Sequence, residues 1–305
     1  MSSQFQQGWK RELLAVNQWL AVHIGELEPL FASYMPARTR TVARARAEAA
    51  RRRLRRGRSA WNAWATGMLN LLDLLPEDAR LARLWDYVAA VEFEPEGEVD
   101  LAGLIFPGAL RIAGRTAPRD FSASHAKIYG VFDARDAVFA REAAFECATF
   151  HREAAFGNAI FHGAAQFREA MFLGAVSFRK AEFFDDAWFR GALFEASFDA
   201  AGASFAGEAG FGNCRFLDTV DFSGAVFKDN AGFDRAKFDR PARFCDAYFG
   251  RAAWFNEARM DPATSFDRAR FAAGMDFGGA ESLEPQPSPV ARMISSIERR
   301  WRDAR

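Results

Sequence analysis

The sequence predicts a mainly β fold, a stack of parallel β-coils preceded by a helical segment. Three observations carry this reading. Phenylalanine supplies 32 of 305 residues, against only 4 Tyr. From Phe139 to Phe277 it recurs in alternating steps of five and six; 24 of 26 register positions are Phe, and only Ala200 and Met260 depart. Two residues before each register position, 20 of 26 residues are Ala. The unit is A-x-F-x-x-A-x-F-x-x-x, as in Ala143 to Glu153, and periodicity of this strictness marks a repeat architecture.

An 11-residue period also suits right-handed coiled coils, so the helix has to be tested. At about 100° per residue, successive Phe would lie about 140° apart and make two stripes rather than one seam. The 15 Gly between residues 130 and 279 also argue against a helix. The step A-x-F instead has period 2, which sends Ala and Phe to the same side of a short strand. Each unit then buries one Phe and one small residue, as one flank of a polygonal coil does.

With that spacing, residues 99–280 resemble the pentapeptide-repeat family, whose unit has a small residue at one inward site and Leu or Phe at the next. The resemblance implies a right-handed quadrilateral parallel β-helix, four units to a coil, with coils joined by parallel β-bridges. Two features depart from the family pattern: every second unit has a sixth residue, and the usual polar residue before the Phe is mostly absent. Four sides then make a 22-residue coil, with the extra residues bulging at two opposite corners. Phe145, Phe167, Phe189 and Phe211 would share one column. A two-sided 11-residue coil stays open as the alternative. Phe198 and Ala200 exchange the two inward sites, which keeps core volume and predicts a local kink.

The flanks divide as follows. Residues 1–92 form an α-helical N-terminal segment suited to covering the end of a solenoid, where strand edges and apolar rings are otherwise bare. Trp61, Trp64, Ala65, Met68, Leu72 and Leu75 follow helical spacing, and after Pro76 a second helix places Leu81, Leu84, Trp85, Val88 and Val91 on one stripe. Residues 93–127 are an opening coil, with Leu101, Phe106 and Leu110 inward, followed by an irregular loop over 113–127. The solenoid proper runs 128–280. Residues 281–305 are a Pro-containing linker and a short C-terminal helix carrying Met293, Ile297 and Trp301.

Net charge is zero, with 40 basic and 40 acidic residues, and by itself names no partner. Residues 38–58, however, hold ten Arg and one acidic residue, Glu48. Arg51, Arg52, Arg53, Arg55 and Arg56 are therefore candidates for binding nucleic acid or an anionic membrane, weighed against an ordinary solvated helix. The three Cys (Cys147, Cys214 and Cys245) are too widely spaced for a disulfide framework or a zinc site. The sequence has no membrane-length apolar run and no secretory-type leader, so the expected location is the cytoplasm.

No phosphate-binding loop, dinucleotide glycine pattern, zinc helix or nucleophile elbow is present, and the expectation is a chain with no catalytic residue, cofactor, metal or small-molecule substrate. His151 and His162 occupy equivalent outward positions and read as surface. Cys214 sits in an inward small-residue slot, and Gly207, Gly210 and Gly212 read as corner turns. The expected function is a scaffold that binds a protein partner through its outer faces. In a 22-residue coil, one outward column reads Thr149, Met171, Leu193, Arg215, Lys237, Arg259 and the adjacent one Ala144, Gln166, Trp188, Gly210, Gly232, Trp254, Asp276. Trp188, Trp254, Arg215, Lys237 and Arg259 are thus the candidate partner face, since Trp and Arg are frequent interface anchors. The resemblance also implies an alternative, a DNA-mimic-like protein that binds topoisomerases. Over residues 96–280 there are 26 acidic and 21 basic residues with both signs interleaved, which is a poor copy of DNA. A membrane-surface role through the basic N-terminal helices is the third reading.

Overall fold

The structure is a computed structural model that describes residues 52–72, 91–92, 95 and 97–282. From Val99 onward the chain winds as a four-sided coil whose short strands pair only with strands one coil away. Four parallel sheets result, of eight or nine strands each. Taken in order around the coil, the first face runs from Val99–Asp100 to Gly274–Asp276 and the second from Ile105–Phe106 to Glu281–Ser282. The third runs from Val91–Glu92 to Ala242–Arg243 and the fourth from Thr116–Ala117 to Arg270–Phe271. Residue i pairs with residue i+22: Ala143 with Ala165, Thr149 with Met171, Ala154 with Val176, Ile160 with Glu182. The result is a 22-residue coil, the same separation at which the Asn158 amide donates to Asp136, and the two-sided alternative is excluded. Phe145 stacks flat on Phe167 at 4.9 Å, whereas it meets Phe156, on the opposite face, edge-on at 5.6 Å.

Alternating unit lengths make two kinds of corner. After a first- or third-face Phe the chain turns within five residues; the turn from Phe145 is closed by the Ala148 N–H donating to the Phe145 carbonyl at 3.1 Å. Its tight geometry needs a left-handed residue two places after the Phe, here Cys147 at φ 55. That position recurs twice in every coil along the shaft. Glycine fills it at Gly191 and Gly202, while Glu169, Lys180 and Arg235 hold it against the ordinary preference of L-residues. After a second- or fourth-face Phe the corner takes six residues and lies on the corner one coil earlier. At Gly174 a Cβ would come 2.3 Å from the Arg152 carbonyl carbon, so a side chain there would force the backbone of this corner to shift.

The backbone ladders alternate as well. First- and third-face N–H groups donate to the following coil (Phe145 to Gln166 O, Ala154 to Ala175 O), and second- and fourth-face groups donate to the preceding one (Thr149 to Ala126 O, Ile160 to Ala137 O). Each coil is thus bonded in both directions. Inside, the Phe columns fill the axis, stacked along the shaft at 4.6 to 5.2 Å and edge-on across it. Burial of each ring contributes about 1.5–3 kcal/mol, with ring–ring geometry adding to that.

Two expectations are corrected. Residues 113–127 are not a loop: Thr116–Ala117, Phe121–Ser122 and Lys127–Ile128 pair with Val138–Phe139, Ala143–Ala144 and Thr149–Phe150. The coil persists because Phe121 and Ala123, like Phe132 and Ala134, exchange large and small inward sites yet stay buried. The exchange at Phe198 and Ala200 does not kink the shaft either. Phe198 pairs with Val176 and Val220 in the unbroken register, and the adjustment falls on its ring, tilted 40° and 44° from Phe178 and Phe222, the rings one coil either side of Ala200.

One helix, α1 (Arg58–Leu72), covers the N-terminal end. Its spacing buries Trp61, Ala65 and Met68. Among the described residues no strand precedes Ile105–Phe106 in its sheet, and side chains of α1 take the place of one. The Asn62 carbonyl oxygen accepts from the Ile105 N–H at 2.9 Å, and the Asn62 amide donates to Gly103 O at 3.0 Å. The Trp61 indole N–H donates to Ile105 O at 2.8 Å, with its ring edge-on to Phe106 at 5.5 Å. Replacing Asn62 by Ala leaves two edge groups unpaired and is expected to lower stability by about 1–3 kcal/mol, measured by denaturant unfolding; an unchanged midpoint would show that the edge is satisfied by other means. Val91, expected on a helical stripe, instead pairs with Leu110. The rest of the second helix, Leu72 and Leu75 as side chains, and the C-terminal helix lie outside the described residues.

Candidate docking faces

Outward positions one coil apart fall into straight columns, which bring together residues far separated in sequence. On the first face, Trp188, Gly210, Gly232 and Trp254 occupy four successive rungs, so the two Trp stand about 14 Å apart at strand spacing. Both are half-buried. The Trp188 ring lies over Gly210, where a Cβ would meet its Cε3 at 2.5 Å, and Trp254 leans toward Gly232, whose Cβ would sit 3.8 Å from its Cε3. The Arg168 guanidinium lies 5.3 Å from the Trp188 ring centroid on the other side. Gly210 is therefore not a corner turn as the sequence suggested; it is the bare seat that lets an indole lie flat on the shaft.

Around the next corner, the second face carries Met171, Leu193, Arg215, Lys237 and Arg259 on successive rungs, each paired with the next. Thr149, which heads this column in the sequence reading, is buried and is not part of a docking surface. Lys237 pairs with Asp239 at 3.1 Å and Arg259 with Glu281 at 3.3 Å. At the corner between the faces, Arg235 grips Glu257 through two bonds of 2.8 and 3.1 Å, which hold the Glu257 carboxyl below its ordinary range. Arg215, Lys237 and Arg259 line an open groove of about 450 Å³ together with Asn213, Arg235 and Glu257.

The structure brings Trp188, Trp254, Arg215, Lys237 and Arg259 onto two adjoining faces, as the repeat arithmetic requires. It divides the candidate polyanion site. Arg53 is buried with its guanidinium 4.3 Å from the Trp64 ring centroid, while Arg52, Arg55 and Arg56 are exposed; Arg51 lies outside the described residues. His151 stacks flat on Tyr129 at 4.0 Å, and burial with Lys127 nearby lowers its pKa. Cys214 is fully buried, its thiol donating to Phe189 O at 2.9 Å, and burial pushes its pKa up. Sequence reasoning missed Phe184, which sits outside the repeat register, is 52% exposed and stacks on His162 at 5.0 Å. It also missed the half-buried Leu173 and Leu217 beside the second-face column. Among the described residues no group of three or more His, Cys, Asp or Glu is placed to hold a metal ion, and no helix is long and apolar enough to cross a membrane.

Four parallel sheets closed around a Phe-filled axis define a quadrilateral β-solenoid. Residues 156–202 match the family model for pentapeptide repeats in nine copies. With the solenoid on either side of that segment built the same way, the chain is a pentapeptide-repeat protein. No curated protein matches it.

Proposed function

We propose that the chain is a non-catalytic scaffold that binds a protein partner across its first and second faces. The observation that carries this reading is the Trp188–Gly210–Gly232–Trp254 column beside the Arg215–Lys237–Arg259 column. Two indoles lie along the column against its buried glycines, next to a row of cations; Trp and Arg are the residues that dominate interface energetics. The shaft is rigid, so the partner would meet a preformed surface and little ordering cost would oppose binding. A DNA-mimic reading has less support, because these faces carry cations where a mimic needs carboxylates.

The test is affinity capture with the full chain as bait. A partner retained by the wild-type protein should be lost, with at least about tenfold weaker binding, in the double variant Trp188→Ala with Lys237→Glu. It should stay bound to a control altered on the third face, Ser177→Ala with Arg243→Ala. Equal capture by both variants contradicts docking on these faces.

A further inference from the structure

We propose that the second face seats an amphipathic, acidic α-helix of the partner, lying along the shaft. This rests on the docking reading above and specifies what the partner presents.

The first argument is spacing. Outward side chains of the column from Met171 to Arg259 repeat once per rung, about 4.8 Å apart, and the five rungs span about 19 Å. A helix rises about 5.4 Å per turn. A helix laid along the column thus offers one side chain per rung, with an accumulated mismatch of about 2.4 Å that long Arg and Lys side chains absorb. An extended strand along the same line offers a side chain only every 6.6–6.8 Å or so and falls out of step by the second rung.

The second argument is the order of chemistry along the column. Its upper rungs are apolar: Met171 is 41% exposed, and Leu193 is half-buried, with Leu173 and Leu217 beside it. Its lower rungs are Arg215, Lys237 and Arg259. Like charges on directly opposed rungs repel. The pairs to Asp239 and Glu281 offset part of this, but the first is only partly buried and the second solvent-exposed, so both are weak and exchangeable. Arg215 makes no ion pair with any described residue and is exposed on the groove wall. Carboxylates on two successive turns of a helix would meet these cations, while apolar residues on the two preceding turns cover Met171 and Leu193. Asp239 and Asp261, beyond the Lys237 side of the face, oppose a continuous polyanion such as a nucleic-acid backbone.

The probe is a fluorescein-labelled Ala-based helical peptide of about sixteen residues, with two turns of Leu followed by two turns of Glu on one face. Its binding to the full chain is read by anisotropy, beside an analogue with Gln for every Glu and a mixed-sequence DNA duplex. The expected result is saturable binding of the Glu peptide that weakens with added salt. It should be weaker by at least about tenfold for the Gln analogue, for Arg215→Glu and for Met171→Lys. No binding, equal binding of the Gln analogue, indifference to Arg215→Glu, or displacement of the peptide by the duplex at equal charge overturns the proposal. If the peptide fails while partner capture still depends on Trp188 and Lys237, only the helix is wrong. If capture ignores those residues, the docking reading itself falls.

Discussion

Replacing Gly174 with Ala should destabilise the solenoid by about 3 kcal/mol, the upper end of overpacking costs. The new Cβ would lie 2.3 Å from the Arg152 carbonyl carbon, 2.6 Å from its oxygen and 2.7 Å from the Glu153 nitrogen. All three are backbone atoms of the preceding coil, held by ladders on the adjoining faces, so no side-chain rotation relieves the contact. Gly157 supplies the control. Its φ is not in the left-handed region, and a Cβ there meets nothing nearer than 3.8 Å. Gly157→Ala is expected to be neutral or to stabilise by about 0.4–1 kcal/mol, through the lower entropy of the unfolded chain. Thermal and denaturant unfolding of the two variants should therefore move in opposite directions or differ by several kcal/mol. Equal effects would mean that the six-residue corners do not pack as described.

The second large effect is expected at Phe189. Its ring is fully buried, stacked on Phe167 at 4.9 Å and Phe211 at 4.6 Å and edge-on to Phe178 at 5.4 Å. Truncation to Ala removes the transfer free energy of the ring, opens a cavity mid-shaft and strips these contacts together with the edge-on ones to Phe183 and Phe198 at 6.4 Å. A loss of about 3–5 kcal/mol is expected, visible as a fall in the unfolding midpoint. Phe184→Ala is the matched control. That ring is half in solvent and touches His162, and its loss should cost less than about 1 kcal/mol. A small effect at Phe189 would show that the axis is not filled by stacked rings.

What the sequence revealed follows from where its chemistry is regular. Between Phe139 and Phe277 nearly every large inward site is Phe, so period, coil length and outward columns follow from the spacing alone. Residues 113–127 hid from the same reading because Ala117 stands at a large site and Phe121 and Phe132 stand at small ones. Burial conserves the summed volume of a coil, not the order of its two inward residues, and a register search finds order. The docking columns were legible as arithmetic. The pose of Trp188 was not, since it depends on the missing Cβ of Gly210 and on Arg168, which lies one coil before the Trp. The five N-terminal Arg looked equivalent as a charge run; Trp64, on the far side of the helix break at Gly57, takes up Arg53 and separates it from the exposed Arg52, Arg55 and Arg56.

Every docking column rests on one claim, that residue i lies on residue i+22 in a four-sided coil. Engineered disulfides measure it directly. Ser122 and Ala144 are paired rungs of the first face, at a separation that parallel strands and disulfides share, about 5 Å between Cα atoms. Gln166 and Ser177, half a coil apart, lie on opposite faces. In the double variant Ser122→Cys with Ala144→Cys, mild oxidation should consume both introduced thiols and form a bond between them, identified by peptide mass. In Gln166→Cys with Ser177→Cys, both introduced thiols should remain free within the monomer. A disulfide in the second variant and none in the first would contradict the 22-residue coil and every column built on it.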